Sequence, residues 1–109
     1  MFEIYQSTKN KQFHFRLKAR NQQIILTSQA YKTKASCKAG IKSVQRNASK
    51  PTNFTLKTAK NGKPYFTLNA RNGEVIGSSQ MYRSPAGRKK GMASVSSNAT
   101  GAEITDLTQ

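Results

Sequence analysis

The chain has 109 residues, of which 35% are hydrophobic and none is Trp, and it carries 19 Lys plus Arg against four acids for a formal charge of +15. A chain of this length forms one ordinary domain that buries about 65% of its unfolded surface, and so apolar-poor a composition predicts a thin sheet covered on one face. With no apolar run of 18 residues, an N-terminal MFEIYQSTKNK unlike a signal peptide, and a lone Cys37, a cytoplasmic protein without membrane association is expected.

In chain order, Phe2 to Ser7 reads as a strand. Phe13, Phe15, Leu17 and Ala19 then alternate with His14, Arg16 and Lys18, the period of two that marks a half-buried strand. A third strand is expected at Gln23 to Ser28, where the consecutive Ile24, Ile25 and Leu26 leave its inward face undecided. The period next turns helical: Thr33 suits an N-cap, and Cys37, Ile41, Val44 and Ala48 share one face. Gly40 beside that face costs roughly 1 kcal/mol of helix propensity, so it predicts close helix-to-sheet approach. Asn47 suits a left-handed C-cap.

The same order then returns. Phe13 to Ala48 set against Pro64 to Ala99, at a constant offset of 51, is identical at sixteen of thirty-six positions, which is a duplication. The second copy predicts strands at Phe54 to Ala59, Tyr65 to Ala70 and Glu74 to Ser79, with Asn61-Gly62 as a tight turn between the first two. Its helix starts at Ser84 and Pro85 and turns Arg88, Met92, Val95 and Ala99 to one side. Gly91 repeats Gly40, and Asn98 repeats Asn47 as a left-handed C-cap. Ala102 to Leu107, AEITDL, is expected to form a closing strand.

Each copy is therefore three strands and a helix, and neither buries its apolar face alone. The expected fold is α+β: two tandem β-β-β-α(-β) units sharing one antiparallel sheet with both helices on one face. The domain is single, residues 1–109, made of repeat 1 (1–50) and repeat 2 (51–109).

The stretch ARNGEVIGSSQMY, Ala70 to Tyr82, has the look of a glycine-rich phosphate loop. Its first copy, ARNQQIILTSQAY, has Gln22 for Gly73 and Leu26 for Gly77, which predicts a hairpin corner in which neither glycine is required. SPAGRKKG, Ser84 to Gly91, lacks the spacing and the Lys-Ser/Thr ending of a P-loop and reads as a capped helix start. Arg88, Lys89 and Lys90 near that helix start could still hold a phosphate. Lys38, Lys42 and Arg46 make a basic stripe on the first helix.

Catalytic inventory is poor. His14 is alone and replaced by Tyr65 in the second copy, Cys37 lies on an apolar helix face and is replaced by Arg88, and four scattered acids do not predict a carboxylate pair. Two potential Cys or His ligands fall short of the four of a zinc site. No enzymatic activity, metal or cofactor is expected.

The charge points elsewhere. A value of +15 exceeds the magnitude of roughly 2 to 8 that keeps a small domain soluble, and such a surface attracts polyanions. The out-facing residues Tyr5, His14, Arg16 and Lys18 of one copy, and Lys57, Tyr65, Thr67 and Asn69 of the other, form an exposed sheet face. There aromatics could stack bases while cations hold phosphates. The expected function is a small basic binding module making weak, phosphate-dominated contacts with RNA or DNA. Its candidate residues are Arg16, Lys18, Arg20, Lys57 and Arg71 for charge and Tyr65 for stacking. The alternative is a protein-interaction or self-association module using the open face or the edge strands. A monomer with two pseudo-symmetric halves is expected.

The duplicated pattern FEI, F-x-F-x-L-K-A-x-N, S-Q-x-Y, G-I/M-x-S-V and N-A resembles the YegP-like family of small uncharacterised bacterial proteins. It is carried by FHFRLKARN, TSQAY and AGIKSVQRNA, and again by YFTLNARNG, SSQMY and KGMASVSSNA. The resemblance covers almost the whole chain. It implies β-β-β-α-β units sharing a single sheet and exchanging their C-terminal strands, and it implies no catalytic residues. Pro64, in place of a strand aromatic, and the longer Lys9 to Gln12 turn depart from the pattern.

Overall fold

Alternating apolar residues become strands in the computed structural model, which describes residues 1–108. The first repeat forms β1 (Phe2–Gln6), β2 (Phe13–Lys18), β3 (Ile24–Ser28) and α1 (Lys34–Asn47). After a 3-10 turn at Pro51–Asn53, the second forms β4 (Phe54–Thr58), β5 (Pro64–Asn69), β6 (Val75–Ser78) and α2 (Pro85–Ala99). A short β7 (Ile104–Asp106) follows. The seven strands make one sheet in the order β4-β5-β6-β3-β2-β1-β7. Phe2, Phe15 and Leu17 join Phe66 and Leu68, and with Ile41, Val44 and Val95 from both helices they form a single core. No helix among the described residues is long and apolar enough to cross a membrane.

The first six strands are antiparallel, as expected, and β3 meets β6 at the pseudo-twofold through Thr27↔Ser78 and Ser28↔Gly77. The sheet as a whole is mixed, because β7 runs parallel to β1 from Phe2↔Ile104 to Ile4↔Asp106. Strand exchange is therefore realised once. The residues after α1 cannot reciprocate, since the chain passes through Pro51–Asn53 directly into β4.

The undecided third strand resolves through a bulge. Register slips after Leu17, so that Leu17 pairs with Leu26 and Lys18 with Ile24; the second copy slips likewise after Leu68. An extra residue on one strand lets consecutive side chains be buried. Ile25 and Leu26 are both core, whereas Ile24 is exposed.

The repeated S-Q-x-Y motif has a physical role. Ser28 and Ser79 each accept the amide of the facing phenylalanine, Phe15 and Phe66, at 2.9 Å and donate to the next carbonyl, extending the ladder as the strand ends. Tyr31 and Tyr82 then stack on Phe15 and Phe66, with ring centroids 6.2 and 6.1 Å apart. Their hydroxyls lie where a Cβ on Gly40 or Gly91 would stand. The helical glycines are thus seats for tyrosine rings.

Both N-caps form as expected, with Thr33 Oγ1 accepting from Ser36 N and Ser84 Oγ from Gly87 N, each at 3.1 Å. Two local expectations fail. Asn47 and Asn98 are not left-handed caps: both stay helical, and each side-chain amide donates to the carbonyl four residues back, Ser43 or Ser94, at 2.8 Å. Such back-bonding offers the side chain a partner inside the turn. The residue at Gly73 is also conformationally demanding, because Gly73 has φ +86° and its counterpart Gln22 has φ +71°. The Asn61-Gly62 turn places only Gly62 at positive φ.

These positions make opposite predictions. Gly91→Ala gains roughly 1 kcal/mol of helix propensity but overpacks Tyr82 at a cost of about 1–3 kcal/mol, so the variant should be destabilised in denaturant unfolding. Gln22→Gly removes left-handed strain of about 1–2 kcal/mol against an entropic cost of about 0.5–1 kcal/mol. It should raise the denaturation midpoint.

Candidate functional site

The open sheet face carries the expected residues, but not as a uniform cationic platform. Glu3 and Arg16 are cross-strand neighbours, as are Tyr5 and His14. Arg16 Nε lies 2.8 Å from Glu3 Oε1, and Lys18 Nζ lies 3.2 Å from the same oxygen. The hydrogen bond from Arg16, assisted by Lys18, holds the Glu3 carboxyl below the usual carboxylate range against the opposing effect of burial. The Arg16 guanidinium also sits 4.6 Å above the Tyr5 ring, which stacks on His14 at 5.3 Å. Arg16 and Lys18 are therefore engaged with an acid, and Tyr5 is covered on one side by His14.

In the second copy the same positions are neutral. Thr55, Thr67 and Asn69 replace Glu3, Arg16 and Lys18. The two threonine hydroxyls donate to Asn69 Oδ1 at 3.2 and 2.9 Å. Thr67 is 5% exposed, enclosed on a face where it was expected to be free. Lys57 and Tyr65 are cross-strand neighbours here. At about 4.8 Å per strand, Tyr65 on β5 stands roughly 14 Å from Arg16 on β2 across the face. The structure thus separates Lys57 and Tyr65 from Arg16 and Lys18.

Arg20 and Arg71 lie apart from that face, on the corners between the second and third strands of each repeat. Each corner closes on Ala19 or Ala70, through the Gln22 or Gly73 amide donating to its carbonyl at 3.0 or 2.9 Å. The corner of one repeat faces the helix end of the other. Arg71 and Asn72 share a cleft of about 400 Å³ with Ser43, Arg46, Asn47 and Lys50 of the first repeat. Arg20 and Asn21 share one of about 510 Å³ with Ser94, Ser97 and Asn98 of the second.

The two clefts lie at equivalent places in the two repeats and differ in charge. The Arg71 cleft gathers three cations and no acid in its lining; counting exposed Glu74 on the same corner still leaves two in excess. The C-terminal dipole of α1 opposes an anion there with only about half a charge. The Arg20 cleft has one cation. Arg46 and Lys50 were not grouped with Arg71 by sequence reading, because the crossing of repeats that joins them is tertiary.

Other candidates resolve locally. Arg88 turns from the start of α2 to the sheet edge, where its Nη1 donates to the Lys57 carbonyl at 3.1 Å. Cys37 is buried, and burial pushes its thiol up to about 11. Among the described residues no three His, Cys, Asp or Glu side chains come together to hold a metal.

Two β-β-β-α units in tandem, with one sheet and one core between them, define a duplicated α+β protein. The sequence pattern of the family described as a domain of unknown function (DUF1508) matches residues 8–54 and again 59–106. A UPF0339 protein of Acinetobacter baylyi is 51% identical over 98% of this chain and 96% of its own length, and the UPF0339 protein YegP of Yersinia pestis is 47% identical over 98% and 95%. The chain belongs to this UPF0339, YegP-like family. Two NMR structures share its fold, each 45% identical over 97% of this chain. One is a UPF0339 protein of Shewanella oneidensis, with a TM-score of 0.90 over 89% of its length; the other is yegP of E. coli, with 0.91 over 90%. The E. coli protein is described as one of unknown function.

One ion pair at this surface sets a pH dependence. Lys34 Nζ lies 2.9 Å from Asp106 Oδ2 and ties β7 to α1. Hydrogen bonds from Thr108, then from Lys34, lower the Asp106 pKa from its ordinary 3.8 to about 2. A carboxyl depressed in the folded state contributes stability that is complete above 3.8 and is lost as pH falls toward 2. Thermal unfolding followed across that window should show a fall in Tm that Asp106→Asn flattens.

Proposed function

We propose that this protein is a non-enzymatic polyanion-binding module that holds RNA or DNA weakly, chiefly through phosphates. The observation that carries the reading is the convergence of Arg46, Lys50 and Arg71 on one cleft without an acid in its lining, in a chain of charge +15. Cations held close together repel one another, and a phosphate relieves that repulsion while counterions are released from the nucleic acid. Asn47, Asn72 and Ser43 add hydrogen-bonding groups around the same space. Tyr65 and Lys57 offer a stacking surface and a charge on the open face, a separate and sequence-tolerant contact. A buried thiol raised to about 11 and a single, stacked histidine support a binding role over a catalytic one. A protein-interaction role has its own support in the uncovered edge at β4.

Binding of short single-stranded RNA and DNA, measured by anisotropy between about 50 and 200 mM salt, should weaken steeply as salt rises. Arg71→Ala and Arg46→Ala should each reduce the salt slope by about 1, whereas Arg16→Ala, whose charge Glu3 already offsets, should change it less. Absence of binding to both nucleic acids at about 50 mM salt would overturn the proposal. An unchanged slope in the Arg71 and Arg46 variants would remove the cleft from it.

A further inference from the structure

The two repeats share a fold but not a cover. β7 lies along the outer side of β1, and Ile4 beneath it is 0% exposed; Leu56, at the equivalent position of β4, is 56% exposed. Cys37 is fully buried, whereas its counterpart Arg88 is only half-buried. β4 is the other edge of the sheet, and among the described residues no strand pairs with its outer side. Beside it an apolar cavity of about 190 Å³ opens between Pro51, Phe54, Met92 and Ala93.

We propose that this edge takes up an extended, acidic segment of a partner protein, added parallel to β4. The template is internal. The segment that covers β1, Glu103 to Leu107, holds two of the chain's four acids, and its Asp106 stands opposite Ile4 and pairs with Lys34. At the second edge Lys34 is replaced by Pro85, which has no charge, and Cys37 by Arg88. The Arg88 guanidinium already reaches the Lys57 carbonyl. An acid opposite Leu56 therefore meets Arg88 where Asp106 meets Lys34.

The first rung at this edge is closed, because the Phe54 amide is taken by the Pro51 carbonyl. Pairing of the incoming strand starts at Leu56, whose counterpart Ile4 accepts from the Leu107 amide at 2.8 Å. Main-chain rungs supply affinity in this mode of recognition, and the flanking side chains supply the choice of partner. Charge decides against a second copy of this chain as the occupant: each copy carries +15, and edge-to-edge pairing would bring the exposed Lys57 and Leu56 strands of two cationic molecules together.

The test uses the full chain and a synthetic heptapeptide, AEITDLT, matching residues 102–108. Titration followed by amide chemical shifts should perturb Leu56, Thr58 and Arg88 saturably. Both Arg88→Glu and a peptide with Lys for its Asp should lower affinity roughly tenfold or more, the size expected for a charge-assisted hydrogen bond. Two results would overturn the proposal: no perturbation along β4 at millimolar peptide, or shifts confined to Phe2 to Ile4, which would mean that the peptide only replaces β7. Equal binding by the Arg88→Glu variant would do the same for the acidic preference.

Discussion

A tyrosine ring wedged between a strand phenylalanine and a helix glycine sets the geometry of both halves. Phe15, Tyr31 and Gly40 make one such stack, and Phe66, Tyr82 and Gly91 the other. Without a Cβ on the glycine, the helix comes close enough for Val44 or Val95 to reach the core. The ring fills what would otherwise be a gap between layers, and close packing of this kind is sensitive to a single methyl group. Burial raises the pKa of both phenols, so they remain neutral at ordinary pH. Because each stack is assembled from all three parts of its repeat, the spacing of F-x-F, S-Q-x-Y and the helical glycine is one constraint, which explains why the three recur together.

Charge is organised as unequally as the packing is equal. Two of the four acids are committed to ion pairs, Glu3 on the open face and Asp106 at β7, and both fall on the side of the first repeat. The second repeat answers Glu3, Arg16 and Lys18 with Thr55, Thr67 and Asn69, a hydrogen-bonded cluster without charge. Arg71 at its corner and Arg88 at its edge form no ion pair among the described residues. Duplication kept the scaffold and let the two surfaces diverge.

The fold was legible because the repeat states each period twice. The alternation of Phe15 and Leu17 returns as Phe66 and Leu68, and where Leu26 suggests a strand interior Gly77 marks the close junction of β6 with β3, the Leu26 side chain lying 3.0 Å from where its Cβ would stand. Periodicity assigns faces, but it does not choose neighbours. AEITDL reads as a strand from its pattern, yet only the connection through Pro51–Asn53 decides that β1 is covered and β4 is left open. Gln22 misled for a related reason: a non-glycine residue held at positive φ by its turn looks permissive in sequence. Of the candidate site, Arg20 and Arg71 were visible as equivalent corners. The cleft that gives Arg71 its company was not, since Arg46 and Lys50 come from the opposite repeat and share no local pattern with it.

The pairing of β1 with β7 also orders events during synthesis. β1 is made before every other strand of the sheet and its parallel partner after them, so the strand emerges with its outer edge bare and keeps it bare while both helices and five further strands are translated. Throughout that interval the half-finished chain has two open edges in place of one. Parallel pairing between distant segments is slow to form, and unpaired edges are where nascent chains find one another. Like charge on neighbouring chains opposes such encounters, and the exposure ends when the Leu107 amide reaches the Ile4 carbonyl and closes the first edge.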